Sequence, residues 1–205
     1  MDTTDAADLI AEIHEDRAEN AAAETFRNRA ALLIAVLAAV LAIGGLGGGN
    51  ATDDMVANNI KASDSWAFYQ AKNVRQTVFE VAADDLEASL PTLSGEARAA
   101  AEKRLADYKS TIARYDSEPD PKAPGDLLKG EGKKEIKARA QSYEQAFDQA
   151  SRRDNAFDLA EVLLQLALVL GSVAILAVNR WILGLALALG VAGSLLTLNG
   201  FLLLV

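Results

Sequence analysis

Residues able to do chemistry are few in this 205-residue chain, and they are scattered. The single histidine, His14, has acidic neighbours at Glu12, Glu15 and Asp16, and such a group can be imagined as a weak metal site. Zinc sites, however, combine several His, Cys or carboxylate ligands in a fixed geometry, and this chain has no Cys to contribute. We therefore expect His14 to be a solvated side chain and predict no metal site.

Two acidic pairs, Asp53-Asp54 and Asp84-Asp85, are the other candidates for catalysis. Adjacent residues on a helix point about 100° apart, so neither pair can converge on one substrate atom. The sequence also contains no Gly-rich phosphate loop, no HExxH and no GxSxG, and its lone histidine has no Ser or Cys partner in view. We expect no enzymatic activity and no cofactor.

The charge balance excludes one class of partner. The net charge is −9, and no run of Lys and Arg is present that could neutralise phosphates. We therefore expect no binding to nucleic acid. The absence of Cys also excludes disulfides.

One cluster of aromatic and hydrogen-bonding side chains occurs between residues 61 and 75. Trp66 and Tyr69 are three residues apart and so share one face of a helix. The preferred interpretation is the packing of a helix close to the membrane surface, where amphipathic aromatic residues are common. The alternative is a recognition patch for a partner helix or a lipid headgroup, formed by Asp64, Trp66, Tyr69, Gln70, Lys72 and Arg75.

Three uncharged stretches dominate the rest of the chain, at 30–49, 160–178 and 181–205, apart from Glu161 at the edge of the second. A bilayer core needs about 20 apolar residues of helix, so each stretch is predicted to span a membrane. Asn179 and Arg180 alone separate the second and third spans, which predicts a helical hairpin with Asn179 in a left-handed conformation at the turn. Trp181 and Arg180 suit the membrane interface.

Small residues recur at four-residue spacing in two of the spans, which lets helix backbones approach closely. This indicates helix–helix association within the chain or between copies, although the general richness in Ala and Gly explains the pattern about as well. The predicted helix-packing residues are Gly44, Gly48, Gly184, Ala188, Gly190 and Ala192.

The charged region between the spans is predicted to be helical. Ile60, Ala67, Val74 and Val81 recur every seven residues on the first helix. Ala71 and Val78 form a second row and Phe79 and Leu86 a third, and together the rows predict an apolar stripe. Three prolines between residues 117 and 130 predict a loop. Each helix of this region carries one narrow apolar stripe, which can be buried only against the other helices or another chain. We therefore predict an all-α membrane protein with three transmembrane helices and a central three-helix coiled-coil-like soluble region. The predicted segments are a polar N-terminal helix (1–29), the first span (30–49), a soluble helical stalk (50–160) with its loop (117–130), the second span (160–178) and the third span (181–205).

The arrangement resembles the uncharacterised bacterial membrane proteins grouped as domain-of-unknown-function family 4337. The specific part of the resemblance is the segment Asp64-x-Trp66-x-x-Tyr69-Gln70-Ala71-Lys72, and the remainder is architecture that extends over nearly the whole chain. The family has no established activity, so the resemblance implies a helical fold and a multi-pass position in the bacterial inner (plasma) membrane, and no chemistry. A small excess of Arg beside the first span favours a cytoplasmic N-terminus, with residues 50–160 extracytoplasmic.

Two functions fit these features. The first is a non-enzymatic integral membrane scaffold or interaction protein that self-associates, with membrane lipid and further copies of the chain as its partners and any partner protein unknown. The alternative is a channel or transporter component, suggested by the Gly-rich first span and by Gln165, Asn179 and Asn199. Against that alternative, no ionisable residue lies deep in any span.

Overall fold

Four α-helices make up most of the chain. The computed structural model describes residues 3–203, and the side chains of residues 13, 14 and 16–203; the ends of the predicted N-terminal helix and of the third span lie outside them. The helices are α1 (Thr3–Ser89), α2 (Gly95–Asp116), α3 (Lys133–Ala177) and α4 (Arg180–Leu202), and a 3₁₀ turn (Leu90–Thr92) follows α1. Over residues 3–203 no strand forms, and the only β pairing is one isolated bridge between Pro119 and Gly130.

Three of these helices, α1, α3 and α4, are long and apolar enough to cross a membrane. α1 continues without a break through the glycine-rich stretch 44–49. A helix in lipid keeps all its backbone hydrogen bonds within itself, which offsets the weak helix preference of glycine. α3 is likewise one helix from Lys133 to Ala177, since no proline interrupts it.

The chain divides into two compact units, and α1 and α3 contribute residues to both. One unit contains the described residues up to Thr52 and from Ala150 onward, with all three apolar segments. The other unit is Asp53–Gln149, with most of the charge. We call them the membrane unit and the polar unit.

The membrane unit is packed through small residues. Leu37, Leu164 and Ala167 form its buried cluster. Along α4 the buried residues follow a 4-3-4-3 spacing, so one face of this helix packs on its neighbours. These residues are Ala186, Gly190, Gly193, Thr197 and Gly200.

The turn between α3 and α4 differs from the predicted one. Val178, rather than Asn179, takes the left-handed conformation, with φ of 48°. Asn179 is the N-cap of α4, where its Oδ1 accepts hydrogen bonds from the backbone N–H groups of Trp181 (2.9 Å) and Ile182 (3.3 Å). Because the capping residue needs extended backbone, the residue before it has to reverse the chain.

In the polar unit, α1 turns an unexpected face toward its partners. The residues that point inward follow a continuous 4-3 spacing, typical of a coiled-coil seam. Several of them are polar, including Ser65, Lys72 and Gln76, which are buried. The full seam is Met55, Asn58, Ala62, Ser65, Tyr69, Lys72, Gln76, Phe79, Ala83 and Leu86.

α2 and α3 pack on successive stretches of α1. Phe79 of α1 contacts the rings of Tyr108 and Tyr115 in α2, at centroid distances of 5.5 and 5.9 Å. Further toward the start of the unit, Trp66 Nε1 donates a hydrogen bond of 2.7 Å to Glu144 Oε1 in α3. The contacts therefore favour two helices side by side at each level, with α2 and α3 in sequence along α1.

Candidate interaction surfaces

The predicted patch at residues 64–75 is divided between two sides of α1. Trp66, Tyr69 and Lys72 point into the polar unit, whereas Asp64, Gln70 and Arg75 are exposed. The rings of Trp66 and Tyr69 meet edge to face at 5.7 Å. The inward residues thus pair α1 with α3 and the loop, while the outward residues are not used in contacts of this kind.

Lys72 lies in the seam where α2 ends and α3 begins. It is 5 % exposed, and its ammonium group donates a hydrogen bond to the backbone carbonyl of Glu131. The rings of Phe68 and Tyr115 lie 5.4 and 5.8 Å from Nζ, and Glu118 Oε2 lies 3.8 Å away. A buried ammonium is tolerated only when it is paired and hydrogen-bonded, and Lys72 has both kinds of partner. Its contacts hold the 117–132 loop against α1.

Glu135 closes the same loop from the side of α3. Its side chain is 1 % exposed and accepts hydrogen bonds from Ser117 Oγ (2.6 Å) and from the backbone N–H of Glu118 (3.1 Å). Burial alone would raise the pKa of this carboxyl, but these hydrogen bonds and the nearby charge of Lys134 outweigh it and hold the pKa below its ordinary value. The charged carboxylate of Glu135 therefore links the start of α3 to the residues that follow α2 through these hydrogen bonds.

The first two rows of the predicted apolar stripe of α1 are left uncovered by the chain itself, whereas the third row, Phe79 and Leu86, was wrongly placed beside them and belongs to the inward seam. Ile60, Val74, Val78 and Val81 are exposed, with Val74 and Val78 each 63 % exposed. They lie on the side of the helix opposite the seam, together with Ala67, Ala71 and Val56. We call this set the outer stripe: Val56, Ile60, Ala67, Ala71, Val74, Val78 and Val81.

The predicted helix-packing residues fall into two groups. Gly44, Gly48 and Gly190 pack within the membrane unit, where an added Cβ would lie 3.4 Å from Thr197, 3.3 Å from Phe157 and 2.7 Å from Leu37 respectively. In contrast, Gly184 and Ala188 are exposed, Ala192 is half-buried, and nothing lies within 4 Å of a Cβ added at Gly184.

Several packing glycines were not singled out in the sequence. An added Cβ at Gly47, Gly193 or Gly200 would lie within 3.0 Å of Phe157 or Leu164. Phe157 is buried and meets Phe201 edge to face at 4.9 Å. The 4-3 spacing of small residues on α4 is the signal that identifies this face.

No site for a metal emerges from the part of the chain that the structure describes. His14 is exposed, and no group of three or more His, Asp or Glu side chains is placed to hold an ion among these residues. Asp53, Asp54, Asp84 and Asp85 are exposed as well.

Comparison with known proteins gives one match. A family model described as Domain of unknown function (DUF4337) matches residues 26–203, which takes in the three apolar segments and the whole polar unit. No curated protein and no solved structure matches the chain.

Proposed function

The chain belongs to the DUF4337 family, and we propose that it is a non-enzymatic integral membrane scaffold or interaction protein that self-associates. The observation that carries this proposal is the outer stripe of α1. The polar unit buries a seam containing Ser65, Lys72 and Gln76, while the most apolar face of the same helix stays exposed. Contiguous apolar surface outside a lipid environment marks an interaction site.

A second copy of this chain is the occupant that fits the stripe. Ile60, Ala67, Val74 and Val81 repeat every seven residues, the period at which a helix keeps one face against a like helix. Positions 67, 71, 74, 78 and 81 are all Ala or Val, so no charge opposes its own copy there.

Membrane anchoring also favours self-pairing. Copies inserted in one membrane share one orientation, so a two-fold axis along the membrane normal brings each stripe residue against its own counterpart. Gly184 and Ala188 on the exposed face of α4 offer a second surface on which helices of two copies could approach closely. At both surfaces a residue would meet the same residue of another copy, so no second protein is needed.

The test is the molar mass of the purified chain in mild detergent, measured by light scattering. We expect a defined oligomer for the natural sequence and a lower molar mass for the double variant Val74→Ser/Val78→Ser, which removes the contact along α1. Ser and Val have similar helix preferences, so the helix itself should persist. Gln145→Ser on the exposed side of α3 is the control and should keep the oligomer. A natural chain that stays monomeric at high protein concentration would refute self-association.

A channel or transporter component remains the alternative. Gln165, its main polar candidate in the second span, is exposed on α3 and donates a hydrogen bond of 2.8 Å to Glu161 Oε1. Asn179 is occupied in capping α4. A pathway using Gln165 would therefore have to form between copies, and ion flux into liposomes that disappears with Gln165→Leu would support it.

We further propose the bacterial inner membrane as the location, with the N-terminus cytoplasmic and residues 50–160 extracytoplasmic. Arg27 and Arg29 directly before the first span support this orientation. A reporter fused at residue 120 would test this orientation. Reporter activity on the cytoplasmic side would show that residues 50–160 are cytoplasmic and refute the proposed topology.

The coiled-coil-like character of the polar unit is likewise a proposal. It is supported by the 4-3 spacing of the α1 seam and by the inward positions of Ala101, Leu105, Ile136 and Ala140 on α2 and α3. The three helices predicted from the sequence are all present. Their contacts favour pairs of helices, because α2 and α3 pack against successive stretches of α1.

A further inference from the structure

Two arginines from different helices meet at one cavity in the membrane unit. The cavity has a volume of about 520 Å³ and lies between α1 and the start of α4. Its lining combines the two cations with apolar side chains and one hydroxyl. The lining residues are Ala22, Thr25, Phe26, Arg29, Arg180 and Leu183.

Neither arginine has a carboxylate partner among the described side chains. The ion pairs formed among the described side chains all lie in the polar unit. Both Arg29 and Arg180 are exposed, and both line the cavity. A guanidinium presents a planar fork of donors that matches the oxygens of a phosphate, and two such forks at one cavity attract an anion strongly.

The position of the cavity indicates where that phosphate comes from. Arg29 directly precedes the first uncharged stretch, and Arg180 stands between the second and third. The neighbouring Trp181 is 90 % exposed, as expected for an aromatic residue at the level of lipid headgroups. The apolar walls supplied by Phe26 and Leu183 suit the glycerol and upper acyl groups of a lipid.

We propose that this cavity binds the headgroup phosphate of an anionic phospholipid, held by Arg29 and Arg180 together. Basic pockets between transmembrane helices bind anionic lipid headgroups in this way. The backbone N–H groups of Trp181 and Ile182 are already taken by Asn179, so the two side chains, and not the end of α4, provide the recognition. The inference is independent of whether the protein self-associates.

The test is a titration of fluorescent phosphatidylglycerol into the full-length protein in neutral detergent. Each of Arg29→Gln and Arg180→Gln should weaken binding about fivefold, and the double variant about 25-fold. Arg27→Gln is the matched control, because it removes the same charge two residues away from a side chain that does not line the cavity. Because its side chain does not line the cavity, it should weaken binding clearly less than Arg29→Gln does.

Two competitors separate the possible sources of the phosphate. Unlabelled phosphatidylglycerol should displace the probe, whereas inorganic phosphate and phosphatidylcholine at the same concentration should not. Displacement by inorganic phosphate would identify a site for free phosphate and overturn the lipid assignment. An equal loss of binding with Arg27→Gln would show attraction by general charge and overturn it as well.

A second double variant, together with a measurement of helix content, separates loss of binding from loss of folding. Arg29→Lys/Arg180→Lys keeps both charges and removes only the planar forks, so it should bind more weakly than the natural chain and more tightly than the double Gln variant. Circular dichroism should show equal helix content in all variants. If the Lys variant bound no better than the Gln variant while fully helical, the ionic part of the proposal would be wrong.

Discussion

Replacing Lys72 with Met should loosen the 117–132 loop and leave α1 paired with α3. The variant keeps the apolar stem in the seam and removes the ammonium group. The lost hydrogen bond to the Glu131 carbonyl is charge-assisted and contributes about 1.5–3 kcal/mol. Each ring contact, with Phe68 and with Tyr115, contributes about 0.5–1 kcal/mol.

Two smaller effects adjust this sum. The ion pair with Glu118 spans 3.8 Å and its carboxylate is well exposed, so it adds little. Met avoids the cost of desolvating a buried ammonium, which acts in the opposite direction. We expect a net loss of about 2 kcal/mol in the free energy of loop closure, equivalent to about 30-fold more frequent opening.

Trypsin can report this opening, because the loop contains Lys122 and Lys129. When opening is fast relative to cleavage, the cleavage rate follows the open population, so Lys72→Met should be cut about 30-fold faster in the loop. Lys61→Met is the control: this exposed lysine lies over the Tyr143 ring at 5.7 Å, away from the loop, and its cleavage rate should stay within about twofold. Trp66 fluorescence should be unchanged in both. Cleavage of Lys72→Met at the natural rate would refute the role given to the ammonium.

Three further predictions concern stability. Because hydrogen bonds hold the native pKa of Glu135 low, the stability that its carboxylate contributes should be complete above about pH 4.3 and be lost as the pH falls through the lower native pKa. Protection of the loop from hydrogen exchange should decline over that pH range in the natural chain and not in Glu135→Gln. The same pH profile in both proteins would contradict the role of the carboxylate. Gly193→Ala places a Cβ 2.7 Å from Leu164 Cγ and should cost about 1–3 kcal/mol in detergent unfolding, whereas Gly45→Ala, with nothing within 4 Å of the added Cβ, should not destabilise; equal effects would contradict the packing of α4. Val178→Gly should raise the Tm, because a left-handed conformation costs a non-glycine residue about 1–2 kcal/mol, and a lower Tm would count against strain at this turn.

The segments of the chain could be predicted because strong local signals mark them. Uncharged stretches identify the three apolar helices, and Pro119, Pro121 and Pro124 mark the loop. The inward faces of α2 and α3 were also predictable, since Ala101, Leu105, Ile136 and Ala140 follow the seam spacing. In these two helices the apolar face and the buried face coincide.

In α1 the two faces do not coincide, and the predicted stripe combined the outer residues with two residues of the inward face, Phe79 and Leu86. Hydrophobicity selects the outer stripe, whereas the inward face includes Lys72, whose burial depends on the Glu131 carbonyl, about 60 residues further along the chain. The buried carboxylate of Glu135 depends in the same way on Ser117 and Glu118. Such long-range hydrogen bonds leave no local pattern, although the 4-3 repeat shared by Ala62, Tyr69 and Phe79 gives a partial signal.

Disulfide cross-linking along α1 tests the self-association most directly, because the natural chain has no cysteine to interfere. Val78→Cys lies on the outer stripe, so in a symmetric pair the two thiols face each other within the Cα distance of about 4.4–6.8 Å that a disulfide requires. Mild oxidation of membranes should give a covalent dimer with Val78→Cys and none with Gln145→Cys, which is also exposed, on α3. Equal cross-linking at both positions, or none at Val78→Cys, would show that the stripe does not join two copies.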